Sequence, residues 1–530
     1  MNRPKFYIYL PVVFALLLIL GIFIGSTFQL STKTGISLDG TNKYTKVNEI
    51  MRYIHQEYVD TINDEQLVDK TIVAMLQNLD PHSSYITAQE LEATNEPLKG
   101  NFEGIGVEFN VVDDTIRVIT AIPGGPAEKV GVQAGDKVID VEGKKVAGVK
   151  ITNKQVMEKL KGKGGTKVKV TMMRKSKLLE FTITRGTIPI YSIDAAYMVS
   201  PATGYIKISR FAATTYDEYM AAFEKLQKEG MQHLIIDLRG NGGGYLNTAV
   251  SIADEFLSDG KEIVYTQGKA RPRKDYKATR KGSFENGKLM VLIDDGSASA
   301  SEILAGALQD NDRATIVGRR SFGKGLVQEQ SEFSDGSAIR LTIARYYTPT
   351  GRCIQKTYKD GVQAYYDEEY KRYTNGELEN ADSIKVADSL KFKTPAGKIV
   401  YGGGGITPDV FVSIDTNGRS HYLNEVLSNG LVNDFAFDYA DKERIQLNEY
   451  KTAEKFNSLF TVTPIVLNEF VAYCEKNGVA KNEKQFIRSQ EIIKTQLKAL
   501  IARNIWGNDG FYMIIHNQDN ILKKAVELMK

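Results

Sequence analysis

The sequence has little from which to build a metal site or a disulfide framework. Among 530 residues there are two cysteines and five histidines. Cys353 and Cys474 stand 121 positions apart, which excludes a disulfide scaffold and a cysteine-based zinc site. No H-E-x-x-H occurs, so a zincin is excluded too. Charge of one sign is also scarce. The formal net charge is +3 and there is no dense basic tract, so nothing points to nucleic acid as a partner. Internal repeats are missing, and long apolar runs are missing but for one. The remainder, 42% hydrophobic and 25% charged, has the make-up of globular cores, and this length suffices for three or four domains.

The one apolar run covers residues 6–25, is uncharged, and follows Arg3 and Lys5. Twenty helical residues match a hydrocarbon core of about 30 Å. A cleaved leader would have a shorter apolar region and an A-x-A-like site, which does not follow Gly25. The expectation is a single-pass inner-membrane anchor (1–25) with its N-terminus in the cytoplasm and the rest of the chain outside, in the periplasm. Export after signal cleavage is the alternative. Residues 26–43, polar and small, read as a tether.

Residues 44–98 are read as an N-terminal helical region. From Tyr44 to Leu79 apolar residues recur at helical spacing (Val47, Ile50, Met51, Ile54, then Leu67, Ile72, Met75, Leu79), and this helical unit ends at Asp80-Pro81, with His82 in the loop after it as a structural residue. Residues 99–186 change to short β-type runs (106–111, 116–121, 137–141, 167–173, 178–184) with one helical stretch at 152–160. A second α/β region, 187–410, has strands expected at 204–208, 233–238, 261–265 and 289–293, alternating with helices at 216–229, 246–257 and 299–310. That alternation predicts crossover βα units and a largely parallel sheet. Beyond the four glycines at 402–405, residues 411–530 are mostly helical, including 485–503, and suggest no role.

The chemistry is concentrated in 288–328. A buried strand at 289–293 runs into a small-residue turn and then a helix beginning near Ser299. A hydroxyl there lies at a helix N-terminus, where free N–H groups and the dipole can hold an oxyanion. Ser299-x-x-Glu302 is equally a capping box, so this fragment alone leaves a plain helix cap open. Lys324 lies between Gly323 and Gly325, whose lack of side chains lets backbone pack close around it. Desolvation can bring a lysine's pKa down far enough for it to act as a base, and on this fragment alone a plain exposed turn lysine stays open. Gly318-x-x-x-x-Gly323-Lys324 also matches most of a P-loop. Gly325 replaces the magnesium-binding Ser or Thr, however, and β-like sequence follows where a helix is needed, so nucleotide binding is rejected.

The runs GSASASEI (296–303) and FGKGLVQ (322–328) resemble the C-terminal processing peptidases, also called tail-specific proteases. The resemblance implies that the nucleophile is the serine 25 residues before the lysine of G-K-G, which selects Ser299 over Ser297 and Ser301. It implies Lys324 as base and Gln328, four residues on, as the residue that orients the amine. Positions four apart on a strand share a face, so Gln328 is placed to reach back. DLRGNGGG (237–244) resembles the family's glycine loop and implies an oxyanion hole of the Gly243 and Ala300 N–H groups. The segments 79–85, 347–352 and 405–409 are also family-like and read as structural. FEGIGVEF (102–109), with GGPA (124–127) and GDKV (135–138), resembles a PDZ domain. In it Gly104, Ile105, Gly106 and Val107 would hold a terminal carboxylate and pair with an extended peptide.

The expected fold is therefore α/β and multidomain. A crotonase-like serine protease core carries an inserted PDZ domain, helical N-terminal and C-terminal regions and an N-terminal transmembrane anchor. The expected activity is acyl transfer at the cell envelope: a serine endopeptidase cutting near protein C-termini, with no metal or cofactor required. The expected partners are protein or peptide substrates with free C-termini and the membrane. A homo-oligomer or an activating partner stays open. The alternative is a non-catalytic PDZ scaffold that binds C-terminal tails at the envelope.

Overall fold

A computed structural model describes residues 10–28, 45–112, 114–279 and 281–530. The chain divides into two units, 1–75 and 76–530. The first holds the helices Leu10–Phe28 and Thr45–Glu57 and most of Asp64–Gln77. The helix Leu10–Phe28 carries exposed Val12, Phe14, Leu17 and Ile19. It runs three residues past the expected end of the anchor. The side chains described in it, 11–22, cover about 18 Å, and among the described residues no helix is long and apolar enough to cross a membrane. Residues 6–9 of the expected anchor, and the tether from 29 onward, lie outside the described residues.

In the second unit a six-stranded sheet runs in the order Ile193–Ser200, Thr203–Ile208, His233–Asp237, Leu289–Ile293, Thr315–Gly318, Val410–Phe411. The first pair is antiparallel and the rest are parallel. Its central strands are continuous apolar runs because both faces are covered. Leu234 and Ile236, with Leu289, Val291 and Ile293, face the helices Thr215–Lys228, Leu246–Asp254 and Ala300–Asp310. The alternate residues Ile235, Met290, Leu292 and Val317 face Ile521, Leu522, Ala525 and Met529 of the chain's last helix, Asn520–Met529. The C-terminal region, without a role in the sequence reading, thus supplies one layer of the core. Its own helices, from His421–Ser428 to Glu483–Ile515, form a separate apolar cluster. The longest of them breaks at Gly507, whose φ of 68° is left-handed.

The strand expected at 261–265 is present as Glu262–Gln267 but belongs to a different sheet. It pairs antiparallel with Ala338–Tyr347, and Tyr265 stacks on Tyr347 with ring centroids 4.8 Å apart. Local alternation of strand and helix cannot reveal a partner some eighty residues away. The helix expected to reach 257 ends at Asp254. The same antiparallel sheet includes Ser84–Ile86 and Leu326–Glu332, on either side of Ala338–Tyr347.

The inserted segment forms a sheet ordered Val107–Val112, Thr115–Ala121, Lys137–Val141, Lys167–Arg174, Lys177–Thr184, around its own apolar core. Its entry and exit strands, Asn101–Gly104 and Gly186–Pro189, pair with each other, as an insertion into another domain requires. The ion pair of Arg117 with Asp438 joins this sheet to the C-terminal helices.

Candidate active site

The strand Leu289–Ile293 delivers the chain to a turn with three serines, of which two are fully committed. Ser297 Oγ donates to Leu238 O (2.9 Å) and accepts from Asp294 N–H (3.0 Å). Ser301 Oγ donates to Asn241 O (2.8 Å). Both are completely buried. Ser299, between them, opens onto a cavity of about 480 Å³ that Lys324, Gln328 and Gly243 also line. Ser299 has φ 57° and ψ −114°. Ordinary N-caps sit in the extended region; a positive φ on a serine at a strand-to-helix turn is strain of the kind found at nucleophiles. Ala300 opens the helix behind it, so its N–H is one of the donors a helix start leaves without an intrahelical partner.

The loop 321–325 brings Lys324 to the same cavity. A Cβ on Gly323 (φ 95°) would stand 3.1 Å from Gly405 N, and one on Gly325 would stand 2.9 Å from Gln355 N. The two glycines are therefore what lets backbone close around the lysine. Lys324 Nζ donates to Gln328 Oε1 at 3.1 Å, and Gln328 Nε2 donates to His82 O. The pairing expected from the sequence is present, for a different reason. Lys324 precedes the strand Leu326–Glu332, and a register shift falls between Val327 and Gln328, so the two residues do not share a regular strand face. Burial lowers the Lys324 amine below its ordinary pKa, the charges of Glu302 and Asp80 oppose that shift, and Arg340 adds to it. The His82 ring is held by Tyr365 OH at 2.8 Å, and burial, reinforced by the charge of Lys324, lowers it to about 4. His82 thus remains structural, although its carbonyl fixes Gln328.

Sequence reasoning gave Glu302 only a capping role, and the structure gives it a larger one. Its buried carboxylate accepts four hydrogen bonds: Ser299 N–H, Lys324 N–H and Gly323 N–H, each at 2.8 Å, and Ser321 Oγ at 2.6 Å. One carboxylate so ties the nucleophile turn to the lysine loop. Burial pushes its pKa up against the pull of these donors. Glu302→Gln is expected to destabilise the protein by about 3 kcal/mol, because an amide N–H then faces buried donors. It should also lower kcat, as the Ser299–Lys324 spacing loosens. Thermal unfolding and a kinetic assay on the same preparation check this, and an unchanged Tm would refute it.

The glycine loop lies where the resemblance implied. A Cβ on Gly243 (φ 100°) would stand 2.8 Å from Ser299 Cβ and 2.9 Å from Ala300 N. The Gly243 N–H assigned to the oxyanion hole donates to Asn241 Oδ1 at 2.9 Å. Asn241 is buried, its Nδ2 bonds Ile208 O, and its carbonyl holds Ala298 and Ser301. The base of the loop is clamped from a region the sequence left without function. Arg239 bridges Asp237 (2.6 Å) and Asp519 (2.6 and 2.9 Å). Only a buried arginine in D-L-R, seeking a second carboxylate, could have hinted at this.

In the inserted domain, Gly106 has φ 77°, and a Cβ there would stand 2.8 Å from Ile188 Cδ1. The carbonyls of Ile105 and Gly106 accept from Ala127 and Ile122. Ile105 is a core side chain, so only its backbone can serve a ligand. Gly104 closes the entry strand, and Val107 begins Val107–Val112, which lies at the edge of its sheet with one side unpaired by any described strand.

Four family models match the chain. Peptidase family S41 covers residues 202–366 and the PDZ domain 104–184. The N-terminal domain of the activating protease CtpB covers 26–90, and a family of unknown function covers 422–507. The carboxy-terminal processing protease CtpA of Bacillus subtilis is 35% identical over 319 residues, 60% of this chain and 68% of that protein. A carboxy-terminal-processing protease of Bartonella bacilliformis is 35% identical over 380 residues, 69% of this chain and 86% of that one. Among solved structures, the photosystem II D1 C-terminal processing protease is 27% identical with a TM-score of 0.34, covering 68% of this chain and 86% of that one. With a serine, a lysine and a glycine loop around one cavity, a PDZ domain inserted ahead of them, and relatives matched over more than two thirds of their length, the chain belongs to the C-terminal processing peptidases of family S41.

Proposed function

We propose that this protein is a serine endopeptidase of the cell envelope that recognises protein C-termini through its PDZ domain and cuts near them. Neutral Lys324 takes the proton of Ser299 as the oxygen attacks a peptide carbonyl. The C–N bond then breaks, the leaving amine takes that proton from Lys324, and water hydrolyses the resulting acyl ester to a carboxylic acid and restores Ser299. Gln328 orients the amine. The Ala300 N–H is one oxyanion donor, and Gly243 supplies the second once its N–H exchanges Asn241 Oδ1 for the substrate oxygen. The observation that carries this reading is that, of three serines in the turn, only Ser299 opens onto the cavity lined by Lys324. A PDZ scaffold without catalysis would have no use for a strained serine beside a lysine of lowered pKa. The crotonase-like assignment of the core is supported by its largely parallel sheet between two helical layers.

Gly104, Ile105, Gly106 and Val107 serve as the carboxylate loop, and the edge of Val107–Val112 that no described strand pairs takes the peptide as an added strand. The test is fluorescence anisotropy of a labelled peptide with the Ser299→Ala protein, which binds without cutting. The peptide acid is expected to bind at least tenfold more tightly than its C-terminal amide. Equal affinities would remove the tail-sensing part of the proposal.

The anchor belongs to the same proposal. It is supported by the apolar run 6–25 behind Arg3 and Lys5 and by the exposed apolar side chains of Leu10–Phe28. N-terminal sequencing of the mature membrane-fraction protein should begin at residue 1 or 2, whereas a start beyond residue 25 would show a cleaved leader.

A further inference from the structure

The charge lining the cleft carries an inference about the substrate, which rests on Ser299 and Lys324 being the reacting pair. Arg340, on Ala338–Tyr347, lies directly opposite Gln330 in register and lines the same cavity as Ser299 and Lys324. Gln330 is two residues along its strand from Gln328, which holds the lysine amine. Arg340 therefore sits on the lysine's side of the sheet, about 7 Å further along, roughly the length of two residues of an extended peptide.

Its guanidinium is half-buried, and its hydrogen bonds are to neutral amide oxygens: Nε to Gln330 Oε1 (3.1 Å) and Nη2 to Asn95 Oδ1 (2.7 Å). Two of its five N–H donors are thus used, and the planar fork keeps capacity for a bidentate acceptor. Among the described residues no carboxylate lies within ion-pair distance of it. The charged residues lining the cavity are Lys99, Lys324 and Arg340, with no Asp or Glu among them. The nearby carboxylates are engaged elsewhere. Glu329 pairs with Arg271 (2.5 Å), Glu302 holds its four donors, and Asp80 accepts from His82 N–H, Ser83 and Thr342. A partly desolvated cation without a counter-ion, in a groove built to receive a peptide, is complementary to a carboxylate brought by that peptide.

We propose that Arg340 is a specificity-determining residue that binds a substrate carboxylate within about three residues of the scissile bond. The carboxylate comes either from an Asp or Glu side chain or from a substrate C-terminus lying that close to the cut.

The test uses the whole protein and short fluorogenic peptides sharing one cleavable core. In one arm Glu or Gln is placed at each of three positions on either side of the bond, with every C-terminus amidated so that the PDZ domain has no terminal carboxylate to hold. In the other arm the peptide ends two or three residues past the bond as acid or amide. In wild type at least one Glu/Gln or acid/amide pair should differ about tenfold in kcat/KM, in favour of the carboxylate. In Arg340→Gln that ratio should fall towards one, and Arg340→Lys should keep part of it. The arm that responds identifies the source. The ratio is internal to each variant, so partial loss of folded protein does not mimic the effect. Removing the guanidinium should also move the acid limb of the pH profile upward, since Arg340 opposes protonation of Lys324 while Glu302 and Asp80 favour it. No preference in wild type, or a preference that survives in Arg340→Gln, overturns the inference and leaves the catalytic reading standing. Cleavage of every peptide by Ser299→Ala would instead overturn the catalytic reading.

Discussion

Ser299→Ala is expected to abolish proteolysis, with a loss on the order of 10⁶ in kcat if the serine and lysine act as a unit. A helix cap would behave differently. Its loss costs about 1 kcal/mol, which moves Tm by only a few degrees in a domain of this size and leaves nearly all molecules folded. The neighbouring serines supply the control. Ser297→Ala removes bonds to Leu238 and Asp294, and Ser301→Ala removes one to Asn241, so both should lower stability while retaining part of the activity. Digestion of an unfolded protein by the three variants beside wild type, with Tm recorded for each, separates the roles. Retained activity in Ser299→Ala would sink the assignment.

The second large effect concerns the base. At an ordinary pKa of about 10.4, roughly one lysine in 2,500 is neutral at pH 7. Burial of Lys324 lowers its pKa, so activity should rise with pH through a single ionisation that lies below that value. Lys324→Arg should be inactive, because a guanidinium stays protonated and cannot accept the serine proton. The sign for stability is also fixed. A lysine whose folded pKa lies below its unfolded one binds fewer protons when folded, so stability is lost as pH falls from the unfolded towards the folded pKa. Lys324→Met should therefore be at least as stable as wild type at pH 7, and inactive. A pH profile of kcat/KM for wild type, with Lys324→Arg alongside, tests this. Near-wild-type turnover by the arginine variant would show that another group is the base.

The sequence by itself determined most of the local structure. Alternation and apolar runs located the strands 137–141 and 289–293 to the residue, because short buried strands bounded by glycine and aspartate leave little freedom. The resemblance to the C-terminal processing peptidases, carried by the spacing within its motifs, picked out Ser299, Lys324 and Gln328, since covalent distance along the chain is what a motif records. It could not say why they meet. Gln328 reaches Lys324 across a strand irregularity, with its other end fixed by the carbonyl of His82, 246 positions away. Glu302 looked like half of a capping box because three of its four donors lie about twenty residues on, in a loop that only the fold brings back. The Gly243 N–H was expected as an oxyanion-hole donor, and only the packed structure turns Asn241 Oδ1 onto it. Glu262–Gln267 joined another sheet, and the last helix, with Asp519 before it, became part of the catalytic core. Periodicity and motifs are written into neighbouring residues, whereas strand partners, shared carboxylates and buried ion pairs depend on segments that meet only when the chain folds.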